Sequence, residues 1–143
     1  MELVVIRHTR IAASPGACYG RTEVPLAESF SMELKELREQ LGPDLPPTVF
    51  SSPSERCARL AESLAPGRWR PDGRLKELFF GAWEGKNWNT IPEHESRYWM
   101  KDFVNIAPPG GETVQVFHRR VVSLLESLLA TDKKSVLIIS HAG

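Results

Sequence analysis

Two short apolar runs without alternation, Leu3-Val4-Val5-Ile6 and Val136-Leu137-Ile138-Ile139, predict strands buried on both faces of a parallel sheet. Thr48-Val49-Phe50-Ser51 gives a third, weaker strand signal. Leu26, Phe30, Leu34, Leu37 and Leu41 fall on one helical stripe that Gly42-Pro43 ends. Ser52-Pro53-Ser54-Glu55 has capping-box spacing, with Ser52 at N-cap, Pro53 at N1 and Glu55 at N3. A second helix is expected from there through Leu60 and Leu64 to about Ala65-Pro66. Val114, Phe117, Val121, Leu124 and Leu128 predict a third, opening after Pro108-Pro109-Gly110-Gly111. Strand, helix, strand, helix, then helix and strand predict an α/β fold: a three-layer α/β/α sandwich with a mostly parallel central sheet.

The sequence has 143 residues with no repeat, low-complexity tract or interdomain linker, so one domain over 1–143 is expected. It stops at Ser140-His141-Ala142-Gly143, just after a strand that should feed a covering helix. The expectation is a domain lacking its C-terminal segment, with an uncovered face through which copies of the chain associate as a homo-oligomer.

Charge narrows the function. Lys plus Arg and Asp plus Glu number 18 each, so no bulk field gathers a polyanion or holds the protein on an acidic membrane, and nucleic acid is not an expected partner. No apolar run approaches the roughly 18 residues of a spanning helix. Met1-Glu2-Leu3-Val4-Val5-Ile6-Arg7 lacks the basic start and long apolar stretch of a signal peptide, which predicts a cytoplasmic protein. Cys18 and Cys57 are too far apart for a Cys-x-x-Cys pair, and four scattered histidines offer no zinc-ligand spacing, so neither a metal nor another cofactor is expected.

The chemistry lies where the strands stop. Arg7-His8 follows the first run and His141 the last, and the crevice beyond the carboxyl ends of the strands is where open α/β sheets bind ligands. Arg56, one turn inside the capped helix, reaches the same rim, where a helix N-terminus favours an anion. Guanidinium forks match phosphate oxygens, and a neutral imidazole attacks phosphorus when its other nitrogen is held. Glu77, in Leu75-Lys76-Glu77-Leu78-Phe79-Phe80-Gly81-Ala82-Trp83-Glu84-Gly85, is the candidate acid for a leaving oxygen, because its apolar flanks suit a proton-carrying carboxyl. Glu84 competes for that role. A small phosphorylated metabolite is the partner this set implies.

Val5-Ile6-Arg7-His8-Thr9 resembles the Arg-His-Gly signature of the histidine phosphatase, or phosphoglycerate mutase-like, superfamily, with Thr9 in place of the usual glycine. Gly20-Arg21-Thr22-Glu23-Val24-Pro25-Leu26, Ser51-Ser52-Pro53-Ser54-Glu55-Arg56, the Glu77–Gly85 block and Ser140-His141-Ala142-Gly143 match in order across almost the whole chain. Within the superfamily, Arg-His-Thr followed by Cys18-Tyr19-Gly20-Arg21-Thr22 is most similar to the alpha-ribazole phosphatases of cobalamin assembly. The resemblance implies a metal-independent phosphomonoesterase with His8 as the phosphorylated nucleophile, Arg7, Arg56 and His141 on the phosphate, and Glu77 as proton donor. Ser14 falls near the position where many members carry a phosphate-touching asparagine, and with Arg21 completes the substrate-binding candidates. A mutase or sugar-bisphosphate phosphatase on the same scaffold, or a non-catalytic phosphate-binding module, are the alternatives.

Other reactive side chains have plainer readings. His94 and His118 are expected to be exposed or satisfied, and Cys18 and Cys57 to be packing residues. Trp83, Trp88, Tyr98, Trp99 and Phe103 are expected mainly in a core, with one or two free to wall a substrate ring.

Overall fold

The computed structural model describes residues 1–142. Its sheet has four parallel strands, β1 (Glu2–Arg7), β2 (Thr48–Ser51), β3 (Trp69–Pro71) and β4 (Ser135–Ser140), in the order β1-β4-β2-β3. The helices are α1 (Phe30–Leu41), α2 (Glu55–Leu64), α3 (Glu93–Lys101) and α4 (Val114–Leu129). This is the expected three-layer arrangement. Leu137 and Ile139 of β4 pack with Cys57, Leu60, Ala61 and Leu64 of α2, while Val136 and Ile138 pack with Leu124 and Leu128 of α4 on the other side. Full burial of each such side chain stabilises by about 1.5–3 kcal/mol, which makes β4 the spine of the domain.

The two apolar runs part company here. β4 is buried on both faces, and the cover that the sequence reading sought after it comes instead from α4, which precedes it. β1 does not meet the same expectation: Leu3 is 41% exposed and Val5 59% exposed, while Val4 and Ile6 pack inward. β1 pairs only with β4 among the described residues, so its alternation reports an edge strand with one open face.

Helix boundaries also shift. Leu26 lies outside α1 because it forms a β-bridge with Ile11, and the helix starts at Phe30 after Ser29. The cap of α2 is Ser54 and not Ser52, and its side chain makes no capping bond. Ser52 Oγ instead accepts from the Ser54 amide at 3.3 Å and meets His141 at 2.9 Å, so a residue suited to a cap serves the site. Thr113 caps α4 by accepting from the Val116 amide at 3.1 Å.

Under α3 lies a separate aromatic core. Trp83 is fully buried, donates from Nε1 to Glu95 Oε2 at 2.8 Å and meets Trp88 and Trp99 edge-on, while Phe80 stacks edge-on against both of these and Phe103 tilts against Trp99. No helix among the described residues is long and apolar enough to cross a membrane.

Candidate active site

The sheet register builds the site. Pairing Arg7 with Ser140 and Ser51 with Ile139 makes His8, His141 and Ser52 leave the sheet at one edge. The His8 amide donates to Ser140 O at 3.0 Å, and the two imidazoles meet edge-on with centroids 5.3 Å apart. His8 is 7% exposed. Its Nδ1–H donates to the Thr9 carbonyl at 2.7 Å, so the neutral ring carries its lone pair on Nε2. Burial, then the charges of Arg56 and Arg7, hold the His8 pKa below the usual histidine value against that hydrogen bond. The ring is therefore neutral at neutral pH.

His141 is the opposite tautomer. Its Nδ1 accepts from Arg56 Nη2 at 3.2 Å, which leaves Nε2–H to donate to Ser52 Oγ at 2.9 Å. Burial first, then the Arg56, His8, Arg120 and Arg7 charges, lower its pKa to about 3. Arg56 is 0% exposed, spans from α2 to the loop after β1, and donates to Gly20 O at 2.6 Å and Thr22 O at 3.1 Å. That loop approaches closely because Gly20 has no side chain: a Cβ there would lie 2.0 Å from Leu78 O. Buried Arg56 Nε and Thr9 Oγ1 have no hydrogen-bond partner among the described residues. Cys57, beside His141, has its thiol pushed up to about 12, chiefly by burial, and Cys18 to about 11 for the same reason. Both stay protonated and pack.

A cleft of about 320 Å³ opens at His8, lined by Arg7, His8, Thr9, Arg10, Ile11, Tyr19 and Glu33, while Arg56 and His141 lie outside its lining. Tyr19, Ile11 and Glu33 were not singled out by sequence reasoning. Tyr19 carried a signal, since it lies inside the Cys18–Thr22 motif, whereas Glu33 sits on the polar side of an ordinary amphipathic helix. The aromatic residues between Trp83 and Phe103 do not line this cleft.

The two candidate carboxylates for the acid role differ in their hydrogen bonding. Glu84 accepts from the Arg21 amide at 2.8 Å, the Thr22 amide at 2.8 Å, the Phe80 amide at 3.2 Å and the Thr22 hydroxyl. It ties two loops together. Among the described residues the Glu77 carboxylate accepts only from the Leu78 amide, at 2.8 Å through Oε1, and its segment is pinned to the sheet edge where Ser140 Oγ donates to Leu75 O at 3.1 Å. Arg21 does not join the histidines: its guanidinium turns to Glu112 Oε1 at 3.2 Å and to Glu77 O at 3.4 Å. Ser14 is exposed, and its side chain makes no hydrogen bond among the described residues. His94 and His118 are exposed.

Arg7, Arg56, a neutral imidazole with an available nitrogen and a second imidazole meet at one end of the strands, a set of groups whose chemistry suits a tetrahedral anion. The sequence model of the histidine phosphatase superfamily (branch 1) matches residues 3–143, and the chain belongs to that superfamily and is a phosphatase. Its curated relatives include the adenosylcobalamin/alpha-ribazole phosphatase of Salmonella typhimurium, 30% identical over 151 residues that cover 100% of this chain and 75% of the relative. A putative phosphoserine phosphatase 2 of Hydrogenobacter thermophilus is 26% identical, over 99% of this chain and 73% of the relative. Among solved structures, the alpha-ribazole phosphatase of Shigella flexneri superposes with a TM-score of 0.88 at 27% identity, covering 99% of this chain and 74% of that one.

The lowered histidine values carry a stability consequence. An unfolded His141 titrates near 6.5 and the folded one near 3, so between these values the unfolded chain binds more protons. Stability is full above about pH 6.5 and falls as pH drops through it. His8 acts in the same direction, whereas the lowered pKa values of Glu112 and Asp72 matter only below the ordinary carboxylate range. Urea unfolding should show a loss of about 1–2 kcal/mol from His141 between pH 7.5 and 5, after allowance for solvent screening. His141→Gln should flatten this slope, and an unchanged slope would contradict the buried neutral tautomer.

Proposed function

We propose that the protein hydrolyses small phosphomonoesters without a metal, through a phosphohistidine on His8, and that its substrate is alpha-ribazole 5′-phosphate. The observation that carries the mechanism is the Nδ1–H bond of His8 to Thr9 O, which leaves Nε2 unprotonated in a cleft beside Arg7. Nε2 attacks phosphorus in line, the P–O ester bond breaks, and the departing oxygen takes a proton from Glu77. Arg7 and Arg56 offset the charge spread over the equatorial oxygens, and the unpartnered Arg56 Nε and Thr9 Oγ1 are donors that a bound anion would complete. Water then attacks the phosphoryl group, its proton passes to Glu77, the P–N bond breaks, and the lone pair returns to Nε2. His141, held neutral with its Nε2–H on Ser52 Oγ, adds no charge of its own and holds the Arg56 fork through Nδ1.

The substrate assignment rests on the names of the relatives and on the Tyr19 and Ile11 walls of the cleft, which suit a nucleoside-like leaving group. Phosphate release from alpha-ribazole 5′-phosphate, 3-phosphoglycerate, fructose 2,6-bisphosphate and phosphoserine tests it. One aromatic contact, to Tyr19, supplies about 0.5–1.5 kcal/mol, so the first should lead in kcat/KM by roughly two- to tenfold. A lead by any other ester overturns the assignment. EDTA should leave the rate unchanged, and a loss that a divalent cation restores would refute metal independence. Glu77→Gln should cost an alkyl phosphate about 10²–10⁴-fold and p-nitrophenyl phosphate far less, because an acidic phenol leaves without protonation.

A further inference from the structure

Glu77 sits on a stretch without regular secondary structure, between two short turns of 3₁₀ helix at Gly73–Leu75 and Gly81–Trp83. No sheet ladder or helix holds its peptide, and two half-buried charged side chains from elsewhere take that role. Arg120 of α4 donates from Nη1 to Arg74 O at 2.6 Å and from Nη2 to Glu77 O at 3.0 Å. Glu112, just before α4, receives the same Nη2 at 2.6 Å, Arg120 Nε at 3.3 Å, Arg21 Nη2 at 3.2 Å and the Phe79 amide at 3.1 Å. The Glu112 amide donates to Phe79 O at 2.9 Å. Arg21 Nε makes a second, longer bond to Glu77 O. The peptide groups before, at and after the acid are thus all fixed by one carboxylate and two guanidiniums. The side chains of Glu112 and Arg120 are 10% and 15% exposed, and the Arg120 guanidinium lies 4.7 Å from the Phe117 ring centroid, which restrains it further.

We propose that Glu112 and Arg120, with Arg21 in support, are positioning residues that set the height and direction of the Glu77 carboxyl over the leaving oxygen. A carboxyl on an unsupported loop wanders, and proton transfer in the transition state tolerates little displacement: about 1 Å costs on the order of a hundredfold. The cluster meets this need with charge-assisted bonds to main-chain atoms, so truncation changes where Glu77 sits without removing any group that touches the phosphoryl. Arg21, expected from sequence at the substrate, acts in this account through Glu77.

The inference rests on Glu77 as the acid, so the experiment includes Glu77→Gln as its reference. Arg120→Met, Arg120→Lys and Glu112→Gln are compared on an alkyl phosphate and on p-nitrophenyl phosphate, with Tm measured for each. Arg120→Met and Glu112→Gln should lower kcat on the alkyl ester by about ten- to a hundredfold with KM little changed. Both should spare p-nitrophenyl phosphate, and Arg120→Lys, which replaces only part of the fork, should fall between. Adding Arg120→Met to Glu77→Gln should bring no further selective loss. Equal losses on both esters, or a selective loss that persists in the Glu77→Gln background, would overturn the positioning role. Glu112→Gln is nearly isosteric and keeps the test readable if Arg120→Met does not fold. If Glu77→Gln itself slows both esters equally, the acid assignment fails first. A selective Glu77→Gln beside unselective Arg120 and Glu112 variants rejects the clamp alone.

Discussion

His8→Ala is expected to abolish phosphate release, by at least about 10⁴-fold on the scale that loss of a covalent nucleophile produces, with little change in the unfolding transition. On the proposed mechanism His8 has no substitute among the described residues of the site. His141 is neutral too, but its Nδ1 lone pair is taken by Arg56 and its Nε2 carries a proton, so neither nitrogen is available to attack. Cys57 is a buried thiol whose pKa is pushed up to about 12, which removes it as a thiolate nucleophile. The fold should survive because His8 contributes one side-chain bond, to its neighbour's carbonyl, while its amide keeps the bond to Ser140 O. Acid-labile radiolabel on the protein during turnover of a labelled substrate, present in the parent and missing in His8→Ala, measures the intermediate directly. Label retained by His8→Ala, or turnover within tenfold of the parent, would move the nucleophile elsewhere.

The neutrality that makes this possible illustrates what a sequence discloses and what it conceals. Strand ends followed by Arg-His and by Ser-His are local facts, and because parallel strands present their carboxyl ends together, the sheet order that places β1 beside β4 brings His8 to His141. Arg56 was legible for the same reason, in the first turn of a helix that follows a strand. Tautomers were not legible, since each depends on a partner far away in sequence: Arg56 for His141, and the turn at Thr9 for His8.

The same boundary runs through the fold. β4 and β1 are nearly identical in composition, yet only β4 is buried on both sides, because burial belongs to the neighbours and not to the run. β3 has three residues and no apolar stretch, so it exists through its pairing with β2. α3 opens with Glu93-His94-Glu95-Ser96-Arg97, a polar surface that hides the stripe on which Trp99 packs. Arg21 shows how a distant partner redirects a side chain. Its place in a recognisable motif suggested substrate contact, but the motif's close approach at Gly20 turns the following side chain toward Glu112.

Arg56→Met is expected to remove phosphate binding while costing the unliganded protein little. The guanidinium is 0% exposed with no carboxylate in ion-pair reach among the described residues, and it relies on two carbonyls and an imidazole nitrogen, with Nε unpartnered. A buried cation so held has lost more hydration than these neutral acceptors restore. Methionine fills similar space with no charge to desolvate. Its cost is Gly20 O and Thr22 O left without donors, at about 1–3 kcal/mol each, and relief of the buried charge offsets much of that. An anion in the cleft supplies the missing compensation, so the benefit of Arg56 should appear chiefly in the liganded protein. For the parent, inorganic phosphate at about a hundred times Kd should stabilise by about 2.7 kcal/mol, a rise of roughly 10 °C in Tm for a domain of this size. Arg56→Met should show almost no such rise, and its kcat/KM should fall about 10²–10³-fold, the usual consequence of losing one preorganised donor from a developing oxyanion. A variant that keeps the phosphate-dependent rise, or whose lost activity simply tracks an unfolded fraction, would make Arg56 a structural strut between α2 and the Gly20 loop instead of the floor of the phosphate site.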